Sequence, residues 1–237
     1  MAALQRWVGI AALSMAGMFS SVANAGDHPV VVELYTSQGC SSCPPADAYF
    51  GKELVGRDDV IALALHVDYW DYIGWKDQFA DPSYSNRQRG YARAAAKRSV
   101  YTPQMVIGGV DHVVGNRPSD VRSNLAKHDQ APSDIELAVS RSGDQLTIDL
   151  DSASGKRDPL VVQVVRYSAK ETVAIKRGEN AGRTLDYHNI VTSWKTVGEW
   201  NARRAKTLRT KVPGDAPVVV IVQRQGFGPI VAAAELR

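Results

Sequence analysis

The sequence predicts an α/β domain with a helical insertion, followed by an all-β, sandwich-like domain. Up to about residue 131, strand-like and helix-like segments alternate, which is typical of an α/β fold. From residue 132 onward nearly every segment is strand-like, at intervals that suit a β-sandwich. We therefore expect a signal peptide over 1–25, the α/β domain over 26–131 with its insertion at about 69–101, and the β domain over 132–237.

The first 25 residues have the features of a secretory signal peptide. Arg6 is followed by an apolar run that ends at Phe19, and the small-x-small pattern Ala23-Asn24-Ala25 comes next. The run is too short to span a bilayer comfortably, and no later stretch approaches that length. We expect cleavage after Ala25 and a periplasmic or secreted product without a membrane span; the alternative is an uncleaved anchor helix.

The net charge argues against two classes of partner. The formal charge of the chain is +3, and loss of Arg6 with the signal peptide leaves +2 (3 − 1). That value is too close to neutral to indicate a nucleic acid or an anionic membrane surface as a partner. The composition does not indicate an oligomeric state.

The first half reads as strands and helices in a definite order. Prolines open a helix at 44–56 and Gly108-Gly109 marks a hairpin. The predicted elements are strands at 28–37 and 59–70, helices at 44–56, 82–99 and 117–128, and the hairpin at 103–115, before a polar linker at 129–134. The second half shows alternating apolar and polar positions over 135–152, then strand-like segments at 159–168, 171–178, 188–197, 205–212, 216–224 and 229–236.

Both cysteines of the chain lie in "ELYTSQGCSSCPPAD", as Cys40 and Cys43. A redox cysteine must ionise, and the start of a helix favours a thiolate. The strand-CxxC-helix order puts Cys40 at that point as nucleophile and Cys43 one turn later as the resolving thiol. The alternative is a static disulfide.

Thr102 and Pro103 form the second part of the predicted site. A proline at the start of a strand cannot donate to the sheet, so it leaves an edge free for an incoming peptide. We expect the Thr102-Pro103 bond to be cis and to face the cysteines. The alternative is an ordinary trans proline at a strand edge.

"ELYTSQGCSSCP" and "YTPQ" resemble the active-site turn and the cis-proline loop of the thioredoxin and glutaredoxin superfamily, over about residues 28–130. With "HVDYWDYIGWKDQFA" and "GENAGRTLDYHN", they also resemble an uncharacterised family of exported bacterial thioredoxin-like proteins, over most of the mature chain. The resemblance implies a thioredoxin-like fold for the first half, redox roles for Cys40 and Cys43, and a substrate-facing role for Thr102 and Pro103. Gly39 departs from the superfamily, which has a tryptophan before the first cysteine.

Further side chains are candidates for the same chemistry. Glu33, an acid inside an apolar strand, is either a buried proton acceptor for Cys43 or an acid paired with a basic residue at the sheet surface. Asp68, Trp70 and Gln104 are candidate substrate-binding residues. The long polar loop around 176–189 is a place where binding is common, but the residue types indicate no chemistry there.

The sequence favours a thiol-disulfide oxidoreductase that exchanges with protein thiols and disulfides and needs no cofactor beyond its own dithiol. A second hypothesis is a copper-binding or copper-delivery protein in which Cys40, Cys43 and His66 hold Cu(I), because thiolate and imidazole suit that ion. A third is a non-catalytic, partner-binding protein with a structural disulfide. The direction of electron flow is not indicated.

Overall fold

The structure, a computed structural model, describes residues 28–128, 133–154 and 159–237. The predicted signal peptide and the predicted domain boundary at 131/132 lie outside these residues. Among the helices described, none is long and apolar enough to cross a membrane.

The elements of the first half follow the predicted order. Within the described residues, each of the three α-helices has a proline in its first turn, which fits the fixed backbone angle that a helix start requires. The elements are β1 (Val30–Thr36), α1 (Pro44–Tyr49) continuing into a π-helix (Phe50–Leu54), β2 (Val60–His66), a 3₁₀ turn (Asp71–Ile73), α2 (Pro82–Ala94), β3 (Gln104–Ile107), β4 (Asp111–Val114) and α3 (Pro118–His128).

The second half is built from strands, as predicted, but with longer central strands. The segments predicted at 159–168 and 171–178 are joined in one strand of 15 residues, β7. The strands are β5 (Ile135–Ser142), β6 (Gln145–Ser152), β7 (Leu160–Ala174), β8 (Thr184–Trp200), β9 (Lys206–Lys211), β10 (Val218–Arg224) and β11 (Ile230–Leu236).

The predicted fold class, a thioredoxin-like α/β domain followed by a separate β-sandwich, is wrong. Strands from both halves form one mixed eight-stranded sheet in the order β11-β10-β7-β8-β2-β1-β3-β4, and β5-β6-β9 form a second, three-stranded sheet. The described residues are 45% strand and only 19% helix. The described part of the protein is therefore mostly β, and its two halves share one sheet because β8 pairs with β2.

The pairing of β2 with β8 explains why the sequence pattern predicted two separate domains and not one shared sheet. The two strands are parallel and pair at Ala64 and Ile190. Beside this pair, Asn189 has a positive φ of 46° and its Nδ2 donates to the carbonyl oxygen of Ala62 at 2.9 Å. The Asn189 side chain thus donates to a β2 carbonyl oxygen where a backbone N–H would otherwise do so. No pattern of residue types in the sequence predicts this contact.

Different layers cover the two faces of the large sheet. On one face, α1 and α3 cover β1 and β3, while the three-stranded sheet packs on β7, β10 and β11 around buried residues such as Leu146 and Val220. On the other face, Tyr84 and Tyr91 of α2 pack against strands of both halves. The carboxyl ends of β1 and β2 meet at the edge where the cysteines lie.

Candidate functional site

Cys40 and Cys43 form a disulfide in the turn between β1 and α1. Cys40 is 2% exposed and Cys43 is fully buried, whereas Ser41 and Ser42 between them are exposed. The two serines of the turn are thus exposed to solvent, whereas its two sulfurs are buried. The Ser42 hydroxyl lies 3.4 Å from the Cys40 sulfur.

Thr102 and Pro103 lie next to this turn. The peptide bond between them is cis, as predicted. The Ser42 hydroxyl donates to the Thr102 carbonyl oxygen at 3.5 Å, and Trp70 Nε1 donates to Thr102 Oγ1 at 2.7 Å. Trp70 is stacked against Tyr72, which is 80% exposed. The predicted proline loop and the aromatic segment after β2 therefore meet beside the disulfide.

Local packing explains why a glycine, and not a tryptophan, precedes the first cysteine at position 39. A Cβ at this position would lie 3.2 Å from Ile73 Cδ1 and 3.3 Å from the Cβ and the carbonyl oxygen of Trp70. The turn at 70–73 occupies the space beside the cysteines, so a bulky residue at position 39 would displace it.

A buried acid, Asp47, lies one helical turn after Cys43, and its backbone N–H donates to the Cys43 carbonyl oxygen at 3.0 Å. Residues four apart share one face of a helix, which places both side chains on the inner side of α1. Burial raises the pKa of Asp47 to about 7, against the opposing influence of His66. This carboxyl therefore changes charge near neutral pH, one helical turn after Cys43.

Asp47 belongs to a buried polar cluster with His66, Asp77, Thr36 and Tyr187. His66 Nδ1 and Asp77 Oδ2 are 2.7 Å apart, and the His66 and Tyr187 rings pack edge to face with centroids 5.0 Å apart. Four atoms here, Thr36 Oγ1, Asp47 Oδ2, His66 Nε2 and the Tyr187 hydroxyl, have no hydrogen-bond partner among the described residues. Such a group of polar atoms can hold and pass protons.

Glu33, the predicted proton acceptor, is engaged elsewhere. Its carboxylate is held by Arg87 Nε at 2.7 Å and Nη2 at 2.8 Å, and it accepts from the hydroxyls of Tyr91 at 2.6 Å and Tyr35 at 2.8 Å. Although burial disfavours a charged guanidinium, Glu33 outweighs this and the pKa of Arg87 is raised. Glu33 is therefore paired with a basic residue, as the alternative expected, but the pair is buried and not at the sheet surface. The buried acid one helical turn after Cys43 is Asp47. Sequence reasoning did not single out Asp47: its spacing of four residues from Cys43 indicates a shared helix face, but not burial.

The remaining predicted site residues have internal partners. Asp68 accepts from the hydroxyl of Ser85 on α2, and the buried Gln104 accepts from Gln88 Nε2 at 2.8 Å. Of the three substrate-binding candidates, only Trp70 is in hydrogen-bond contact with Thr102. Roles for Asp68 and Gln104 in substrate binding stay predictions.

The copper hypothesis gains no support from the described part of the chain. No cluster of three or more histidine, cysteine, aspartate or glutamate side chains there is arranged to hold a metal ion. His66 is fully buried between Phe79 and Tyr187 and bonds to Asp77. Cu(I) binding by Cys40, Cys43 and His66 stays an untested prediction.

The chain matches one described protein family. Residues 31–223 match the family described as a protein of unknown function, DUF1223. The chain belongs to the DUF1223 family. This confirms the expected uncharacterised family, and the superfamily resemblance to thioredoxins and glutaredoxins is not confirmed. No curated protein matches the chain.

Four solved chains are similar to this DUF1223 chain, among them the following two. The X-ray crystal structure of a protein from Agrobacterium tumefaciens is 31% identical, covers 87% of this chain and 93% of its own, and has a TM-score of 0.74. HBP35 of Porphyromonas gingivalis is 13% identical, with 90% of this chain and 76% of that chain covered and a TM-score of 0.63. The second likeness shows the fold alone.

Proposed function

We propose that this DUF1223 protein is an exported thiol-disulfide oxidoreductase that acts in the periplasm or outside the cell. One observation carries the proposal: the CxxC motif is closed as a disulfide, with the carboxyl of Asp47, whose pKa is about 7, one helical turn behind it. Acids whose pKa is shifted strongly by burial cluster at functional sites, and this one lies one helical turn from a CxxC motif.

The proposed reaction is an exchange with a protein dithiol. A substrate thiolate attacks Cys40 Sγ, the Cys40–Cys43 bond breaks, and the electron pair leaves on Cys43. The second substrate thiol then attacks the mixed disulfide and releases Cys40. In sum, the protein disulfide and two substrate thiols give the protein dithiol and one substrate disulfide, with two electrons and two protons transferred. The reverse reaction uses the same groups.

Asp47 supports this cycle as the proton acceptor and donor for Cys43. Because a general acid or base works best when its pKa is near the working pH, a carboxyl with a pKa of about 7 suits this role. Thr102 and Trp70 would contact the substrate chain beside Cys40, and the exposed Tyr72 would extend that surface.

The test is the reduction potential of the Cys40–Cys43 pair. The protein is equilibrated with glutathione buffers, free thiols are trapped by alkylation, and the two forms are separated by mass. We expect a value between about −120 and −270 mV, the range of exchange catalysts. A value below about −300 mV would indicate a structural bond and overturn the proposal.

A first prediction concerns the pH dependence of stability. The pKa of Asp47 is about 7 in the folded protein against an ordinary value of 3.8, so folding takes up a proton between these values. The free energy of unfolding should therefore fall as pH rises from about 4 to about 7 and level off above. At about 1.4 kcal/mol per pKa unit, the fall amounts to a few kcal/mol. Urea unfolding at several pH values measures it.

The matched variants are Asp47→Asn and Asp58→Asn. Asparagine at position 47 cannot ionise, so the fall between pH 4 and pH 7 should largely disappear. Asp58 is exposed, and its replacement should leave the fall unchanged. If Asp47→Asn retains the full pH dependence, Asp47 is not the group that titrates, and its assigned role in proton transfer fails with it.

A further inference from the structure

The connection between β7 and β8, residues 175–183, belongs to the second half of the chain and closes over the CxxC turn. Asn180 in this loop is 1% exposed, and its Nδ2 donates to the carbonyl oxygens of Gln38 and Cys40, each at 2.9 Å. Its Oδ1 accepts from Arg183 Nη1 at 3.1 Å, so the amide nitrogen faces the turn. One buried side chain thus satisfies two backbone acceptors of the turn.

The loop is fixed to the turn by a second contact. Gly178 has a φ of 76°, and a Cβ there would lie 3.3 Å from Trp75 Cβ, so the loop backbone packs closely on this tryptophan. Trp75 Nε1 in turn donates to Gln38 Oε1 at 2.7 Å. Gln38 is therefore held through its backbone by Asn180 and through its side chain by Trp75.

Glu179 adds a charge at the cysteines. Its Oε2 accepts from the backbone N–H of Ser41 at 3.3 Å, directly after Cys40 in the chain. Glu179 is the single acid in the loop, beside Lys176, Arg177 and Arg183. A carboxylate next to a developing thiolate disfavours its ionisation, whereas the cationic residues favour it.

We propose that the 175–183 loop is part of the redox site: Asn180 positions the CxxC turn, and Glu179 makes Cys40 less acidic and the dithiol more reducing. The inference rests on the proposed function and extends it, because it assigns the second half of the chain a role at the redox site. The physical reason is that a less stable Cys40 thiolate weakens the reduced form relative to the disulfide.

The electrostatic part is tested in a Cys43→Ser background, where Cys40 is the only thiol of the chain. Thiolate absorbance is titrated against pH for the background protein and for its Glu179→Gln and Glu199→Gln derivatives. We expect Glu179→Gln to raise the thiolate fraction near neutral pH about two- to fivefold, as for an exposed charge pair. Glu199 is exposed at the opposite end of β8, so its replacement should change nothing. Equal titration curves for the two derivatives would overturn the assignment of Glu179.

The positioning part is tested with both cysteines present. Asn180→Ala removes the amide that ties the Gln38 carbonyl oxygen to the Cys40 carbonyl oxygen, and of these two the Cys40 oxygen keeps the Cys43 backbone N–H at 3.2 Å. The turn should therefore loosen, and the two sulfurs should meet less often. The equilibrium constant with glutathione should shift several-fold toward the dithiol, while Asn180→Ala in the Cys43→Ser background should titrate close to that background. An unchanged equilibrium constant would overturn the role of Asn180. If wild type itself resists glutathione, the proposed function fails, but the thiolate titration still decides whether Glu179 acts on Cys40.

Discussion

Replacing Cys40 with serine is expected to abolish thiol-disulfide exchange. A serine hydroxyl does not ionise at neutral pH and cannot form the mixed disulfide, so the catalysed rate should fall by a factor on the order of a thousand or more, as for other removed nucleophiles. Insulin reduction in the presence of glutathione or dithiothreitol measures the rate. The variant should keep its fold, because Cys40 and Cys43 are only three residues apart and so close a short loop.

Two further variants make this result specific. Cys43→Ser keeps the nucleophile and removes the resolving thiol, so it should accumulate a mixed disulfide with substrate that gel electrophoresis without reductant detects. Ser41→Ala changes an exposed neighbour without touching a sulfur and should keep most of the activity. If Cys40→Ser and Ser41→Ala proceed at the same rate as wild type, the chain is not an exchange catalyst.

Replacing Arg87 with methionine is expected to cost about 3–5 kcal/mol of stability. Arg87 and Glu33 form a buried ion pair between α2 and β1, and the guanidinium also lies 3.8 Å from the Trp194 ring centroid on β8. Methionine retains part of the apolar stem but leaves the Glu33 carboxylate buried without its cation. Urea unfolding at pH 7 measures the loss as a lower midpoint.

The control and the double variant separate the ion pair from general effects on α2. Arg93 lies exposed in the last turn of the same helix, so Arg93→Met should change stability by no more than about 0.5 kcal/mol. Glu33→Gln combined with Arg87→Met removes the unpaired charge and should recover part of the loss. Equal costs for Arg87→Met and Arg93→Met would contradict a stabilising role for the pair.

Local features near the cysteines were predictable because they follow from short spacings. The prolines after Cys43 indicated the start of α1, the glycine pair at 108–109 indicated the β3–β4 hairpin, and the chain order indicated a cis proline near the disulfide. Each of these depends on the conformational limits of a few neighbouring residues.

The contacts that the sequence did not predict join residues that are distant in the chain. Glu33 was a candidate acid for Cys43, but Arg87, 54 residues away, holds its carboxylate. Asn180 is 140 residues from Cys40, and nothing near either residue indicates that they touch. A charged or amide side chain can form hydrogen bonds or ion pairs with many other groups, and the tertiary fold determines which of these groups lies close to it.

The sequence by itself determined the CxxC motif and its place in a strand-to-helix turn, the order of strands and helices, and membership of the DUF1223 family. Only the tertiary structure decided that β8 lies beside β2, that Asp47 is buried one helical turn after Cys43, and that the second half reaches the CxxC turn. The physical reason is that a strand pattern specifies which residues are buried but leaves open which strand edges pair. Residues from both halves meet at the cysteines because one continuous sheet brings them there.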